Sequence, residues 1–141
     1  MTMTLLLALA MQASTPELDA QAREFNCNDP QNQMEMNNCA RIDFERADLA
    51  LNAAYRTAIA AAQANDRELR AMGDNGDTRP GYEAVLRAAQ RAWVTYRDQH
   101  CTWVGYNEAR GGTMEPMSYN GCRTQVTRQR IEQLRESPQE Q

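Results

Sequence analysis

Apolar residues recur along this chain with the period of an α-helix, in three separate stripes. After a polar lead-in to about Asn26, the first stripe carries Ala40, Phe44, Ala47, Leu51, Ala54, Ala58 and Ala62 at steps of three and four, which lines one helix face. The turn formers Asn28, Asp29 and Pro30 precede it, so a helix is expected to start shortly after Pro30 and to run to about Ala64. "NDRELRAMGDNGDTRPGY" then interrupts the pattern with glycines and a proline, and residues 73–80 are expected to be a true loop. A second helix should begin near Gly81, with Tyr82, Leu86, Ala89, Trp93, Tyr96, His100 and Trp103 facing inward, and "EARGGTMEPMSYNG" should end it. The third, from about Gly121 to Leu134, offers Cys122, Val126, Ile131 and Leu134 to the interior. No segment alternates like a strand, and no internal repeat is present. The expected class is all-α, a small three-helix antiparallel bundle stapled by two disulfides.

Composition narrows this picture. A chain of 141 residues has room for one core. Much of its 42% hydrophobic content is alanine, so the core should be thin. Residues 14–136 are expected to form a single helical domain and 137–141 a disordered tail. "MTMTLLLALAMQAS" resembles a weak signal peptide over 1–13, with cleavage after Ala10 or Ala13. Its apolar run is too short to span a bilayer, so no integral membrane span is expected.

The net charge of −4 argues against nucleic acid or an anionic membrane as the main partner. The acids are unevenly placed. Between Glu17 and Asp48 stand Glu17, Asp19, Glu24, Asp29, Glu35, Asp43, Glu45 and Asp48 against only Arg23, Arg41 and Arg46. Such a segment is either a solvated helix face or a docking surface for a basic partner. Glu24, Asp29 and Glu35 are the binding candidates there; Asp74 and Asp77 are the alternative, in the loop.

Cys27, Cys39, Cys101 and Cys122 form an even set in a chain expected to be exported, which suits two disulfides. An up-down-up bundle gathers all four at one pole, and this geometry permits all three connectivities. Local closure, Cys27 with Cys39 and Cys101 with Cys122, is the simplest.

"LRAAQRAWVTYRDQHC" raises a sharper question by setting His100 beside Cys101. A catalytic thiolate needs a free cysteine and a base within hydrogen-bond reach. Adjacent helical residues diverge by about 100° and do not face one another. The paired C-x₂-C and H-x₃-H spacings of zinc sites are absent, as are G-x-S-x-G, a phosphate loop and H-E-x-x-H. The chain is therefore expected not to be an enzyme and to need no metal or cofactor. Asp48, Arg97, Asp98 and Arg130 lie near the stripes and suit an interhelical ion-pair network.

Four pieces, in order, carry a family resemblance. They are "QMEMNNCA"; "ADLALNAAY" with Asp48, Leu51, Asn52 and Tyr55; "LRAAQRAWVTYRDQHC" with Gln90, Trp93, Tyr96, Arg97, Asp98 and Cys101; and C-x₄-T-x₂-R-x₃-L on Cys122, Thr127, Arg130 and Leu134. Together they span about Cys27 to Leu134 and resemble the family of the lysozyme inhibitor LprI and its N-terminal-domain-like relatives, small four-cysteine proteins of the bacterial envelope. Two departures are the long connection at 73–80 and the lack of a lipid-attachment cysteine. With the stripes, the resemblance makes Asp48, Leu51, Tyr55, Trp93, Tyr96, Arg97 and Arg130 the candidate structural core. It implies a periplasmic or secreted protein-binding module, a lysozyme inhibitor that occludes the enzyme, with a basic protein such as lysozyme as partner. The alternative is a non-inhibitory accessory domain of an envelope complex.

Overall fold

The computed structural model of the protein describes residues 14–136. The expected signal peptide and tail lie outside the described residues. Within them the chain is all-α, with four helices rather than three: α1 (Thr15–Glu24), α2 (Gln33–Ala71), α3 (Tyr82–Ala109) and α4 (Glu115–Arg135).

The additional helix is α1, in what the sequence pattern offers only as a polar lead-in. A proline in its first turn and Glu17 beside it start the helix, because proline's missing N–H is unpaired there in any case and an acid suits the N-terminal dipole. Leu18 is its one fully buried residue, contributing about 2 kcal/mol by burial. α1 packs on α2 alone. Arg46 reaches Asp19 at 2.8 Å and Arg41 donates to Gln21 at 2.8 Å, so the two helices run antiparallel. The Cys27–Cys39 disulfide closes the connection between them.

α2 has 39 residues, about 58 Å at 1.5 Å per residue. Asn32 caps its start by accepting from the Glu35 N–H at 2.9 Å, and the Glu35 carboxylate reaches back to the Gln31 N–H at 2.7 Å, a variant of the capping box. The helix continues past the expected Ala64 to Ala71, and Gly73 follows with φ of 89°, the left-handed geometry that ends helices. The extension has a structural use. Asp66 accepts from the Tyr82 N–H at 2.7 Å and the Glu83 N–H at 3.1 Å, capping α3 from a neighbouring helix. A Cβ on Gly81 would lie 2.6 Å from Asp66 Oδ1, so the close approach of this cap depends on glycine.

α4 begins at Glu115, six residues before the expected Gly121, with proline again in the first turn. It runs parallel to α2, antiparallel to α3, and packs between them. Leu51, Ile131 and Leu134 form the buried apolar cluster, with Ala54, Tyr55, Ala58, Leu86 and Trp93 packed against it. Alanines along α2 let α4 approach closely, which keeps this cluster small. Cys101–Cys122 ties α3 to α4 near the pole where α2 and α4 begin. Asn37 donates to the Thr113 carbonyl at 2.9 Å across that same pole.

Candidate partner-binding surface

The pole that gathers both disulfides answers the His100–Cys101 question. Cys101 is bonded to Cys122 and no cysteine is free, so no thiolate is at hand for nucleophilic attack. His100 instead stacks on Tyr96, with ring centroids 5.3 Å apart and planes at 13°. Among the described residues no group of three His, Cys, Asp or Glu is placed to hold a metal ion.

Behind this pole the helices meet through arginines sandwiched between aromatic rings. The Arg123 guanidinium lies 3.6 Å from the Phe44 ring centroid and 4.3 Å from that of Tyr119. Arg97 sits 5.0 Å from Phe44 and 5.1 Å from Trp93, and Arg130 sits 5.9 Å from Trp93. Each desolvated cation–π contact stabilises by about 1–2 kcal/mol. Arg97 is buried and donates to Asp98 at 2.9 Å, to Asp48 at 3.4 Å and to Thr127 at 3.5 Å. Arg130 takes no part in that ion-pair network; it donates to Gln90 at 2.9 Å and Gln133 at 3.2 Å. Burial pushes Arg123 and Arg130 below the ordinary arginine pKa. Arg123 donates to Asn120 Oδ1 at 2.6 Å, while its Nε has no hydrogen-bond partner and the flanking rings add to the compensation. Proton-transfer chemistry is not what this arrangement is suited to; it locks three helices together.

The candidate core residues divide accordingly. Leu51 and Arg97 are buried, while Asp48, Tyr55, Trp93 and Arg130 are half-buried at the helix contacts. Tyr96 is a correction: it is 58% exposed. The inward face of α3 carries Gln90, Arg97, Cys101 and Gly105, which lies a fraction of a turn away from the stripe through Tyr96 and Trp103. Tyr82 and Trp103, expected inward on the same stripe, are also exposed.

The acidic surface is built from α1 and the start of α2. Several of its acids are already engaged: Asp19 and Asp43 with Arg46, Glu45 with Arg41, and Asp48 with Arg97. Glu35, a binding candidate from sequence, is half-buried and spends its carboxylate on the α2 cap. Glu24 and Asp29 are exposed and in no ion pair among the described residues. Glu17 joins them, exposed and seven residues before Glu24, hence on the same face of α1. The proline-acid signal of a helix start at Pro16 and Glu17 could have marked it. The result is a pair of open acids on α1, Glu17 and Glu24, with Asp29 in the turn beyond the helix and the exposed Arg23 beside Glu24.

The loop alternative is weaker in charge. Asp77 is paired with Arg79 at 2.7 Å, and hydrogen bonds from Arg79 hold its carboxyl down to about 2. Asp74 accepts from the Gly76 N–H at 2.8 Å. Both are exposed, yet Asp77 is locally neutralised, so the loop keeps Asp74 alone as an open acid, whereas the N-terminal segment keeps Glu17, Glu24 and Asp29 against Arg23.

Known proteins give a consistent picture. The family described as "Lysozyme inhibitor LprI" matches residues 26–134. An uncharacterized protein of Rhizobium meliloti (strain 1021) is 44% identical over 122 residues, covering 86% of this chain and 85% of the relative. No solved structure matches the chain.

Proposed function

The chain belongs to the LprI lysozyme-inhibitor family, and on that footing we propose that it is an extracytoplasmic module that binds a basic lysozyme and occludes its cleft. Two disulfides suit an oxidising compartment such as the periplasm or the cell exterior. No helix among the described residues is long and apolar enough to cross a membrane. The family is one of inhibitors rather than catalysts, and the arginine–aromatic interior serves packing.

The observation that carries the reading, beside membership, is that Glu17, Glu24 and Asp29 in the N-terminal segment are exposed and in no ion pair among the described residues. Charges left open raise the association rate with a partner of opposite sign, and salt screens them over about 8 Å. The 73–80 loop competes poorly because Arg79 covers Asp77.

Turbidity clearing of a bacterial cell-wall suspension by a basic lysozyme, with and without the oxidised protein, tests the reading. Inhibition is expected. Changing Glu17→Gln, Glu24→Gln and Asp29→Asn together should slow association about tenfold at low salt, flatten its salt dependence and leave dissociation nearly unchanged. No binding and no inhibition at low salt would reject it and favour a non-inhibitory accessory domain.

A further inference from the structure

The outward face of α3 carries apolar side chains that stay largely open to solvent among the described residues, touched there by His100, beside Tyr96 and Trp103, and by Arg110 over Tyr106. Tyr82, Val85, Tyr96, Trp103 and Tyr106 are 54, 55, 58, 61 and 44% exposed, and Ala89, Ala92 and Gln99 lie exposed between them. In chain order these eight positions advance by alternating steps of three and four from Tyr82 to Tyr106. That is the a/d repeat of a coiled-coil seam, held for the whole helix. On a straight helix the repeat would drift by about 70° over this length, which two helices absorb by winding around each other. The spacing therefore calls for another helix.

From this seam we infer that the protein pairs with a second copy of itself through α3, antiparallel, about a two-fold axis near the level of Val94. An antiparallel pair sets each a position against a d position of its mate. Val85 then meets the mate's Trp103, and Ala92 meets its Tyr96. Ala89 meets Gln99, and Tyr82 meets Tyr106 at the ends. Three of these layers place a large side chain against a small one, which fills space on both sides of the axis. A parallel pair would stack Trp103 on Trp103 and alanine on alanine, leaving crowding at one end and voids at the other.

Charge selects the occupant. Glu83, Arg87, Arg91, Arg97 and Asp98, the charged residues between Tyr82 and Tyr106, all lie off the seam and off the positions flanking it. A basic partner would find no acid there, whereas pairing two copies sets no like charges face to face along the seam. Area agrees with this choice. Taking about 150–250 Å² for a whole aromatic side chain, the five exposed side chains present roughly 500 Å² of surface per copy. Two copies bury about 1,000 Å² from these alone, and the flanking positions bring the total into the range of specific interfaces. A strip of this size is on the scale of the largest apolar patches that monomers expose, and such patches are often functional. This pairing does not depend on lysozyme being the target.

Sedimentation equilibrium of the oxidised protein tests it. The wild type should approach twice the chain mass at about 100 µM. Ala92→Arg, an exposed substitution on the seam, should weaken association at least tenfold, and Gln125→Arg on α4 should not. Tyr96→Glu is the second seam variant should the first lose helicity. Mixing Val85→Cys protein with Trp103→Cys protein should give a mixed disulfide dimer, while Val85→Cys alone should not cross-link to itself. A wild type that stays monomeric at this concentration, or an Ala92→Arg protein that dimerises as well as wild type, overturns the inference. So does a monomer whose lysozyme binding is lost in Ala92→Arg, because the face would then belong to that partner.

Discussion

The two faces of α3 reverse the usual arrangement of a surface helix. Gln90, Arg97, Cys101 and Gly105 are buried, and none is a large aliphatic residue; Tyr82, Val85, Tyr96, Trp103 and Tyr106 face solvent. The inward face is stable because its neighbours satisfy it. Phe44 of α2 and Arg123 and Arg130 of α4 interleave with Arg97 and Trp93, and Asp48 and Asp98 supply carboxylates. Among the described residues the outward face has no such neighbour from another helix over Val85, Tyr96 and Trp103. An apolar stripe thus marks the face of a helix that needs cover. Which protein supplies the cover is a separate question.

Substitutions can break or sharpen this contrast. The largest effect belongs to the covalent end of the inward face. Reducing both disulfides should remove about 6 kcal/mol of stability, roughly 3 for each loop, read as a large fall in the urea midpoint. Full retention would show that the packed arginines suffice without the staples. Next comes Arg97→Met, which leaves Asp48 and Asp98 without their cation. Because both acids keep partial contact with water, the expected loss is about 3 kcal/mol, the low end for breaking a buried pair. Trp93→Ala should cost about 3 kcal/mol through the gap it leaves, whereas Trp103→Ala in dilute solution should stay within about 0.5 kcal/mol. Equal losses in the two tryptophan variants would erase the distinction between the faces. The smallest expected loss of stability is that of Asp66→Ala among the inward contacts, about 1 kcal/mol for a lost helix cap, with fraying of the first turn of α3 seen as faster amide exchange at Tyr82 and Glu83.

The sequence made some of these features legible and hid others for physical reasons. The stripe from Ala40 to Ala62 located α2 because one continuous face is buried against α4. α1 stayed hidden because it buries a single side chain, Leu18, and one residue makes no stripe. The last turns of α2 carry Arg67, Glu68 and Arg70, exposed on all sides; their helix is held by backbone and by the use of Asp66 as a cap. The start of α4 lay under Pro116, which breaks a helix anywhere except its first turn. α3 was found, but its phase was not. Leu86 and Trp93 belong to the packed side, Tyr82, Ala89, Tyr96 and Trp103 to the open side, and both sets fit one periodic stripe. Periodicity fixes an element and leaves its rotation to whatever the other helices offer. The same limit applies to the acidic surface. Glu24 and Asp29 are open as their sequence positions suggest, whereas Glu35 and Asp77 are consumed by local hydrogen bonds that only coordinates reveal.

The central claim, that α3 packs Trp93 against its neighbouring helices and leaves the stripe through Tyr96 and Trp103 open, is tested most directly by the two tryptophans. Trp93→Phe leaves Trp103 as the sole indole and Trp103→Phe leaves Trp93, so acrylamide quenching and emission wavelength can be read for each. At low concentration Trp103 should emit at longer wavelength and quench several times more steeply than Trp93. As the concentration rises toward the dimer range, the Trp103 emission should shift to the blue while that of Trp93 stays fixed. A Trp103 shielded from acrylamide in dilute solution, or a Trp93 as open to it as Trp103, would contradict the account.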